Sequence, residues 1–331
     1  MEQQVLGRSG RLVSAVGLGT WQLGADWGNV SDDDARATLE ASLEAGVTFF
    51  DTADVYGDGH SEQVIGAFLK EHPNAGITVA TKMGRRMDQV PENYVLENFR
   101  QWTDRSRKNL DVERLDLVQL HCPPTAVYSS DEVFDALDTL VEEGVTANYG
   151  VSVETTAEAL AAIARPNVAT VQIILNAFRL KPLDEVLPAA SEAGVGIIAR
   201  VPLASGLLSG KYSKDTRFAE NDHRNYNRDG SAFDVGETFS GVPYDVGVEA
   251  AVRFAELSAK CFGEDLTAAQ AAIAWVWQQP GVSTVIPGAR NADQARANAA
   301  AGNAAALGPL FSSGVREIYD ELIKEHVAAK W

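Results

Sequence analysis

The sequence predicts an α/β fold in which eight parallel strands alternate with helices and close into a (β/α)8 TIM barrel. Two observations support this prediction: eight short apolar runs rich in Val and Ile, and a regular spacing between them. Because the runs are apolar on both faces, they are typical of parallel strands covered by helices. Starts at residues 47, 77, 115, 149, 170 and 195 lie 21 to 38 residues apart, the spacing of βα units. The predicted strands span residues 16–20, 47–51, 77–82, 115–121, 149–153, 170–176, 195–201 and 283–287.

A doubly wound parallel sheet is the structural alternative, but its dinucleotide-binding fingerprint is missing. Gly17 and Gly19 are followed by Gln22, where a G-x-G-x-x-G motif requires a third glycine. We therefore favour the barrel.

Helices between the strands are predicted from apolar positions that recur at a period of about 3.6 residues. Residues 94–110 and 131–143 each carry one such stripe. Polar capping residues predict where helices start, and glycines predict where they end. The predicted starts are Ser31-x-x-Asp34, Ser129-x-x-Glu132, Thr155-x-x-Glu158 and Thr267-x-x-Gln270, and the predicted ends are Gly46, Gly144 and Gly194.

The pattern of strands and helices is lost between residues 203 and 245, after the seventh predicted strand. A connection is ordinarily about 4–6 residues long, so a longer one is either a functional lid or disordered. Its aromatic residues (Phe218, Tyr226, Phe233 and Phe239) favour a lid. Within it, the stretch 222–226 could face the substrate, close over a cofactor or simply pack. A C-terminal helix is predicted over residues 311–323, and no linker divides the chain, so we expect one domain over residues 1–331.

Composition excludes several classes of partner. The net charge of −18 would repel nucleic acid and anionic membranes, so we expect neither. No apolar run reaches the roughly 18 residues of a membrane helix. Residues 1–4 also lack the basic start of a signal peptide. The two cysteines and five histidines show no zinc-like spacing, so we expect no metal and a cytoplasmic location.

Ionisable side chains stand at the ends of three successive predicted strands. They are Asp51, Lys82 and His121, and Tyr56 follows Asp51 in the adjoining loop. In a barrel of this kind the carboxyl ends of the strands meet at one mouth, where the chemistry takes place. Each residue alone has an ordinary explanation, as a helix cap, a solvated tip or a packing residue. Burying Lys82 behind an apolar strand is costly unless Asp51 pairs with it, so the set together predicts an active site.

Several motifs resemble those of the aldo-keto reductase superfamily, in its longer bacterial branch. One of them is Asp-Thr-Ala-Asp-Val-Tyr-Gly at residues 51–57, and similar segments cover nearly the whole chain. They are residues 13–21, 51–62, 118–123, 150–152, 202–212 and 285–291. This resemblance implies an α/β barrel that binds NADPH or NADP⁺ without a Rossmann motif.

The resemblance also implies that Asp51, Tyr56, Lys82 and His121 form a catalytic tetrad. Tyr56 would donate a proton to a carbonyl oxygen, while the nicotinamide supplies a hydride. An unperturbed phenol titrates near ~10, so we expect Lys82 to lower the pKa of Tyr56 and Asp51 to hold Lys82 in place. His121 would form a hydrogen bond to the substrate oxygen.

A cofactor site follows from the same resemblance. Ser152 and Gln172 would hold the nicotinamide carboxamide, although Gln172 could instead be a polar bridge between strands. A basic residue, Arg290, suits the 2′-phosphate, which favours NADPH over NADH. Leu203, Ser205, Gly206 and Leu207 would donate backbone N–H groups to the pyrophosphate, with Lys211 adding charge, and Gln294 and Asn298 would hold the adenine. The other expected cofactor-binding residues are Thr20, Trp21, Asp51, Arg200, Pro202, Pro287 and Gly288.

Two positions depart from the family pattern. Val153 stands where the family has Asn or His, so one carboxamide contact is expected to be lost. Arg200 stands where the family stacks a Tyr on the nicotinamide. A guanidinium can stack too, but the oxidised ring is cationic, and like charges at ~4 Å repel by about 1–4 kcal/mol. Arg200 is therefore expected to favour NADPH over NADP⁺.

The sequence thus predicts an NADPH-dependent reductase of aldehydes or ketones. Trp21, Tyr56, His121 and parts of the lid would wall the substrate pocket. A cofactor-binding regulatory protein like the channel β-subunits, with little turnover, is one alternative. A phosphate-binding isomerase or aldolase barrel is another, which would leave Tyr56 and Gln172 without a role. The carbonyl substrate and the oligomeric state stay open.

Overall fold

A computed structural model describes residues 1–24, 30–220 and 222–331. An antiparallel hairpin comes first, made of β1 (Gln3–Val5) and β2 (Leu12–Ser14). Eight parallel strands follow, each paired with its neighbour in chain order. They are β3 (Leu18–Gly19), β4 (Phe49–Asp51), β5 (Thr78–Met83), β6 (Leu117–His121), β7 (Tyr149–Ser152), β8 (Thr170–Ile174), β9 (Gly196–Arg200) and β10 (Val282–Val285). Each overlaps one predicted strand.

The sheet closes between its first and last strands through two short bridges. Val16 pairs with Val285 and Gly19 pairs with Gly288, both in parallel register. Backbone hydrogen bonds support the closure, including one of 2.8 Å from the Gly17 N–H to the Val285 carbonyl. The predicted (β/α)8 barrel is therefore confirmed.

Twelve α-helical segments occur in the described ranges. They are α1 (Asp32–Glu44), α2 (His60–Glu71), α3 (Leu96–Leu110), α4 (Asp131–Glu142), α5 (Thr156–Ile163), α6 (Lys181–Ala193), α7 (His223–Tyr226), α8 (Tyr244–Phe262), α9 (Ala268–Trp277), α10 (Ala292–Ala300), α11 (Gly308–Ile318) and α12 (Lys324–Val327). A turn of π-helix at Tyr319–Ile323 joins the last two. Of the helices described, none has both the length and the apolar character needed to cross a membrane.

The predicted helix caps are mostly confirmed. Thr155 and Thr267 each form a reciprocal capping box, and the Ser31 side chain caps α1. The prediction for α4 was wrong by one residue, because Ser130 rather than Ser129 accepts the hydrogen bond from the Val133 N–H. The three predicted terminal glycines all have positive φ values, which a side chain would strain.

The β1–β2 hairpin plugs the amino-terminal end of the barrel, and the sequence analysis did not predict it. Leu6 and Val13 join a buried cluster with Phe49, Leu117 and Ile198 inside the barrel. The approach to β9 is so close that a Cβ atom on Gly7 would lie 2.1 Å from the Gly196 nitrogen. Strands of three residues give too little alternation to be recognised from sequence.

The predicted lid, residues 203–245, lies between β9 and β10, and its described residues, 203–220 and 222–245, contain several short helical turns. Polar contacts join its two ends to each other and tie it to the barrel. The Ser205 hydroxyl donates to the Glu237 carbonyl at 3.0 Å and accepts from the Phe239 N–H at 3.0 Å. The Asn176 amide also donates to the Ser240 hydroxyl at 2.8 Å.

The indole of Trp331 packs under the far side of the lid. Its Nε1–H donates to Asp234 at 3.3 Å, and the Arg179 guanidinium lies 3.8 Å from the ring centroid. A Cβ atom on Gly241 would lie 2.2 Å from the indole. The lid therefore depends on a glycine where the tryptophan passes.

We predict that Gly241→Ala destabilises the protein more than Gly144→Ala does. The two glycines have nearly the same φ, 71° and 72°, but only Gly241 faces a neighbour within 4 Å. Left-handed strain costs each variant roughly 1–2 kcal/mol, and overpacking against Trp331 adds about 1–3 kcal/mol to Gly241→Ala alone. Urea unfolding measures both losses. Equal losses would show that the indole does not constrain the lid.

Candidate active site

A cavity of about 600 Å³ opens at the carboxyl ends of the barrel strands, beneath the lid. It brings together nearly all the site residues expected from sequence. These are Thr20, Trp21, Asp51, Tyr56, His121, Ser152, Gln172, Arg200, Pro202, Leu203, Ser205, Gly206, Lys211, Pro287, Gly288, Arg290, Gln294 and Asn298. Lys82 lies just behind the wall. Leu207 was expected to contribute through its backbone, and its side chain is buried in the core beside Gly247 of α8.

Lys82 and Asp51 form an ion pair that is almost completely buried. The Lys82 ammonium contacts the Asp51 carboxylate and also donates to the Thr52 carbonyl at 2.9 Å. Burial alone would lower the pKa of Lys82, but the Asp51 charge and hydrogen bond raise it above its ordinary value. Lys82 is therefore a cation at neutral pH.

Two glutamine side chains bind the other oxygen of Asp51. The Gln172 Nε2 donates to Asp51 Oδ2 at 2.8 Å, and the Gln119 Nε2 donates to it at 3.2 Å. Gln172 therefore forms the polar bridge between strands that the sequence left open as an alternative, and it also lines the cavity. Gln119 was missed. Like Gln172, it is an amide inside an otherwise apolar strand, and this pattern could have identified it.

Tyr56 stands over this pair, with its hydroxyl 3.3 Å from the Lys82 ammonium. Burial raises the pKa of Tyr56 above its ordinary value, and Lys82 opposes this rise without reversing it. The direction of the Lys82 effect is the one expected from sequence, but desolvation is larger and leaves the pKa of Tyr56 above its ordinary value. The phenol is therefore protonated at neutral pH and is able to donate.

His121 is buried next to Tyr56, and the two rings meet edge to face with centroids 6.0 Å apart. Burial lowers the pKa of His121 well below 6.5, and the charges of Arg85, Lys82 and Arg200 lower it further. The imidazole is neutral, so it carries one N–H donor and one acceptor nitrogen. Within the described part of the chain, Nδ1 has no hydrogen-bond partner.

Arg200 does not present an isolated charge to the cavity. Its guanidinium is paired with Glu237 of the lid and, at 3.0 Å, with Glu154, and it donates to the Val153 carbonyl at 3.0 Å. From sequence, Arg200 was expected to present an uncompensated charge to the nicotinamide, and that premise was wrong. Two carboxylates offset the cation, so the expected bias toward NADPH loses its basis.

The opposite end of the cavity is built from two loops. Residues 204, 205 and 206 all have positive φ values, which turn the backbone sharply after β9. The second loop precedes α10 and is braced from that helix. Gln294 accepts from the Arg290 N–H at 3.0 Å, and Asn298 donates to the Gly288 carbonyl at 3.1 Å. Lys211 and Arg290 place two cations along this end.

Several cavity residues lie on long connections, where the sequence pattern did not identify them. The rings of His223 and Phe233, both in the lid, pack on Trp21 with centroids 5.4 and 5.8 Å away. The open question about residues 222–226 is thereby answered in part, since His223 and Arg224 line the cavity. Arg85 also lines it, three residues beyond Lys82. Its place just after a strand end was a usable signal.

Comparison with known proteins identifies relatives along most of the chain. A family model described as the Aldo/keto reductase family matches residues 15–319. A protein described as a probable voltage-gated potassium channel subunit beta, from Oryza sativa subsp. japonica, is 31% identical over 314 residues, which cover 89% of each chain.

Two solved structures show the same architecture. One is the glycerol dehydrogenase AKR11B4 from Gluconobacter oxydans, 28% identical with a TM-score of 0.74, covering 96% of this chain and 93% of that one. The other is the holo form of the aldo-keto reductase AKR11C1 from Bacillus halodurans. It is 26% identical with a TM-score of 0.74, and the match covers 96% of both chains.

We predict that the His121 imidazole stays neutral at pH 6. Its pKa lies well below 6.5 in the folded protein, so only the unfolded chain gains this proton as the pH falls below about 6.5. Below a pH of about 6.5, the contribution of His121 to the free energy of unfolding therefore decreases as the pH falls. The decrease is at most about 1.4 kcal/mol per pH unit.

Long-range ¹H–¹⁵N spectra of the histidine rings measure the protonation state directly. The variant His121→Gln lacks this signal and so assigns it. In urea unfolding, the variant should also show a smaller loss of the free energy of unfolding below a pH of about 6.5. A His121 midpoint near about 6.5 would contradict the prediction.

Proposed function

The chain belongs to the aldo/keto reductase family, and we propose that it is an oxidoreductase that reduces aldehydes or ketones to alcohols with NADPH. The observation that carries the proposal is the junction of a protonated phenol, a buried ammonium and a neutral imidazole. Tyr56 contacts Lys82, lies against His121, and opens into a cavity of about 600 Å³. That volume is within the range of small-molecule and cofactor sites.

The cavity suits a phosphorylated dinucleotide in its chemistry. At the catalytic end, Ser152 and Gln172 offer a hydroxyl and an amide for a carboxamide. At the other end, Lys211 and Arg290 line the cavity together with Ser205 and Gly206 of the sharp turn, and α10 begins just after Arg290. Two cations in a chain of net charge −18 favour NADPH over NADH, because only NADPH has a 2′-phosphate.

The catalytic residues supply the proton and hold the carbonyl group. When bound, the nicotinamide supplies a hydride for the carbonyl carbon. Tyr56 donates its phenolic proton to the carbonyl oxygen as that oxygen gains charge. Lys82, held cationic by Asp51, stabilises the phenolate that remains, since it already contacts the hydroxyl at 3.3 Å.

The surrounding side chains orient the substrate and exclude water. Neutral His121 donates its N–H to the carbonyl oxygen, which fixes the oxygen beside Tyr56. Trp21, Phe233 and His223 form an aromatic wall on the lid side. This wall strengthens the polar contacts by keeping the site dry.

Two other functions are weighed against this one. Similarity to the rice protein described as a probable channel subunit beta supports a cofactor-binding regulatory role, in which NADPH binds tightly but little turnover occurs. An aldolase-type role needs Lys82 as a neutral nucleophile. The raised pKa of Lys82 and its pairing with Asp51 disfavour that role.

We predict that Tyr56→Phe lowers kcat for aldehyde reduction by about 10²–10⁴-fold, because it removes the proton donor. Its affinity for NADPH should change little. Tyr244→Phe is the matched control, since its hydroxyl binds the Ser213 carbonyl away from the cavity, and it should retain wild-type activity.

The measurement is the decay of NADPH absorbance with a panel of aldehydes and ketones, together with NADPH binding by fluorescence. Full activity in Tyr56→Phe would contradict the assigned proton donor. Tight NADPH binding with negligible turnover across the panel would support the regulatory alternative.

A further inference from the structure

Arg85 is a cation of the cavity wall that the proposed mechanism does not use. Most of the charged lining residues have partners: Asp51 pairs with Lys82, Arg200 with Glu237, and Arg224 with Asp222. Lys211 and Arg290 lie at the end assigned to the cofactor phosphates. Arg85 remains. In the described ranges, its nearest carboxylate oxygen belongs to Glu154 and is 4.0 Å away, beyond hydrogen-bond distance.

The backbone after β5 directs Arg85 to the catalytic end of the cavity. Gly84 has a φ of 114°, and a Cβ atom there would lie 3.0 Å from the Tyr94 ring, so the turn requires glycine. The Arg85 Nε–H then donates to the His121 carbonyl at 3.1 Å. This contact fixes the guanidinium beside the imidazole that is proposed to hold the carbonyl oxygen.

We propose that Arg85 binds a carboxylate on the substrate, so that the preferred substrates are carbonyl compounds bearing one carboxylate group. The inference rests on the proposed function and names its substrate class. The Nε–H is already bound, which leaves the terminal N–H groups for a ligand. Their fork matches the two oxygens of a carboxylate.

The charge balance favours a carboxylate over a phosphate ester. Arg85 is the one cation at this end that the neighbouring carboxylates leave without a hydrogen bond, among the residues the structure describes. Arg85 and Arg200 together balance the charges of Glu154 and Glu237, so a bound carboxylate leaves one net negative charge at this end and a phosphate dianion leaves two. A phosphate dianion would keep a second charge near Glu237 and Glu154, which would repel it.

A purely structural role for Arg85 makes a different prediction. If Arg85 only supports the His121 backbone or pairs with Glu154, its removal should impair all carbonyl substrates alike. Carboxylate binding instead requires a loss confined to substrates that carry the group, expressed mainly in KM because the contact exists before the reaction.

The test compares matched aldehydes with and without the anionic group. The carboxylate pairs are 4-carboxybenzaldehyde with 4-methylbenzaldehyde, and succinic semialdehyde with butanal. Glyceraldehyde 3-phosphate with glyceraldehyde forms the phosphate arm. The variants are Arg85→Met, which removes the charge, and Arg85→Lys, which keeps the charge but not the fork. Arg86→Met is the control, because Arg86 binds the Asp54 carbonyl and Asp58 outside the cavity lining.

The wild type should prefer the carboxylate member of each pair. Arg85→Met should lower kcat/KM for carboxylates by about 10–100-fold, as expected for a lost charge-assisted hydrogen bond. It should change kcat/KM for neutral aldehydes by less than about threefold, and Arg85→Lys should lie between. Arg86→Met should behave as wild type.

Three results would overturn the inference: no carboxylate preference in the wild type, an equal loss for both members of a pair, or a stronger preference for the phosphate ester. None of these affects the proposed reductase activity. That activity fails separately, if the wild type consumes no NADPH with any of the aldehydes.

Discussion

A buried ion pair between Lys82 and Asp51 determines how the site is arranged. An ammonium and a carboxylate at this depth are tolerated only when each satisfies the other. Asp51 meets this requirement from β4 by accepting from Lys82 on β5, Gln119 on β6 and Gln172 on β8. Four strands are thereby tied across the barrel interior, and Tyr56 is placed where the ammonium can stabilise its phenolate.

The ion pair of Lys82 and Asp51 also explains why Tyr56 does not need a lowered pKa before the substrate binds. Desolvation keeps Tyr56 protonated and His121 neutral, so both are hydrogen-bond donors before a substrate arrives. The stabilising charge of Lys82 matters most when the phenol gives up its proton. Burial therefore sets the protonation state of Tyr56 before the reaction, and the Lys82 charge acts during it. For Tyr56, only the effect of the charge was expected from sequence.

Much of the fold could be predicted from sequence, because strand ends and helix caps are local signals. The convergence of Asp51, Lys82 and His121 followed from the barrel itself. Contacts that depend on distant segments could not be predicted. Arg200 meets Glu237, 37 residues further along, only because the lid folds back over β9. The donation from Gln172 to Asp51 depends on which face of the strand points inward, and an apolar run does not reveal this.

The most direct test of the buried pair is a double-mutant cycle between Asp51 and Lys82, measured as free energies of unfolding. Asp51→Asn alone strands a buried ammonium and should cost roughly 3–5 kcal/mol. Adding Lys82→Met removes that charge, so the double variant should lose much less than the sum of the single variants. Additive losses, within about 0.5 kcal/mol, would show that the two groups do not depend on each other and would contradict the central role assigned to them.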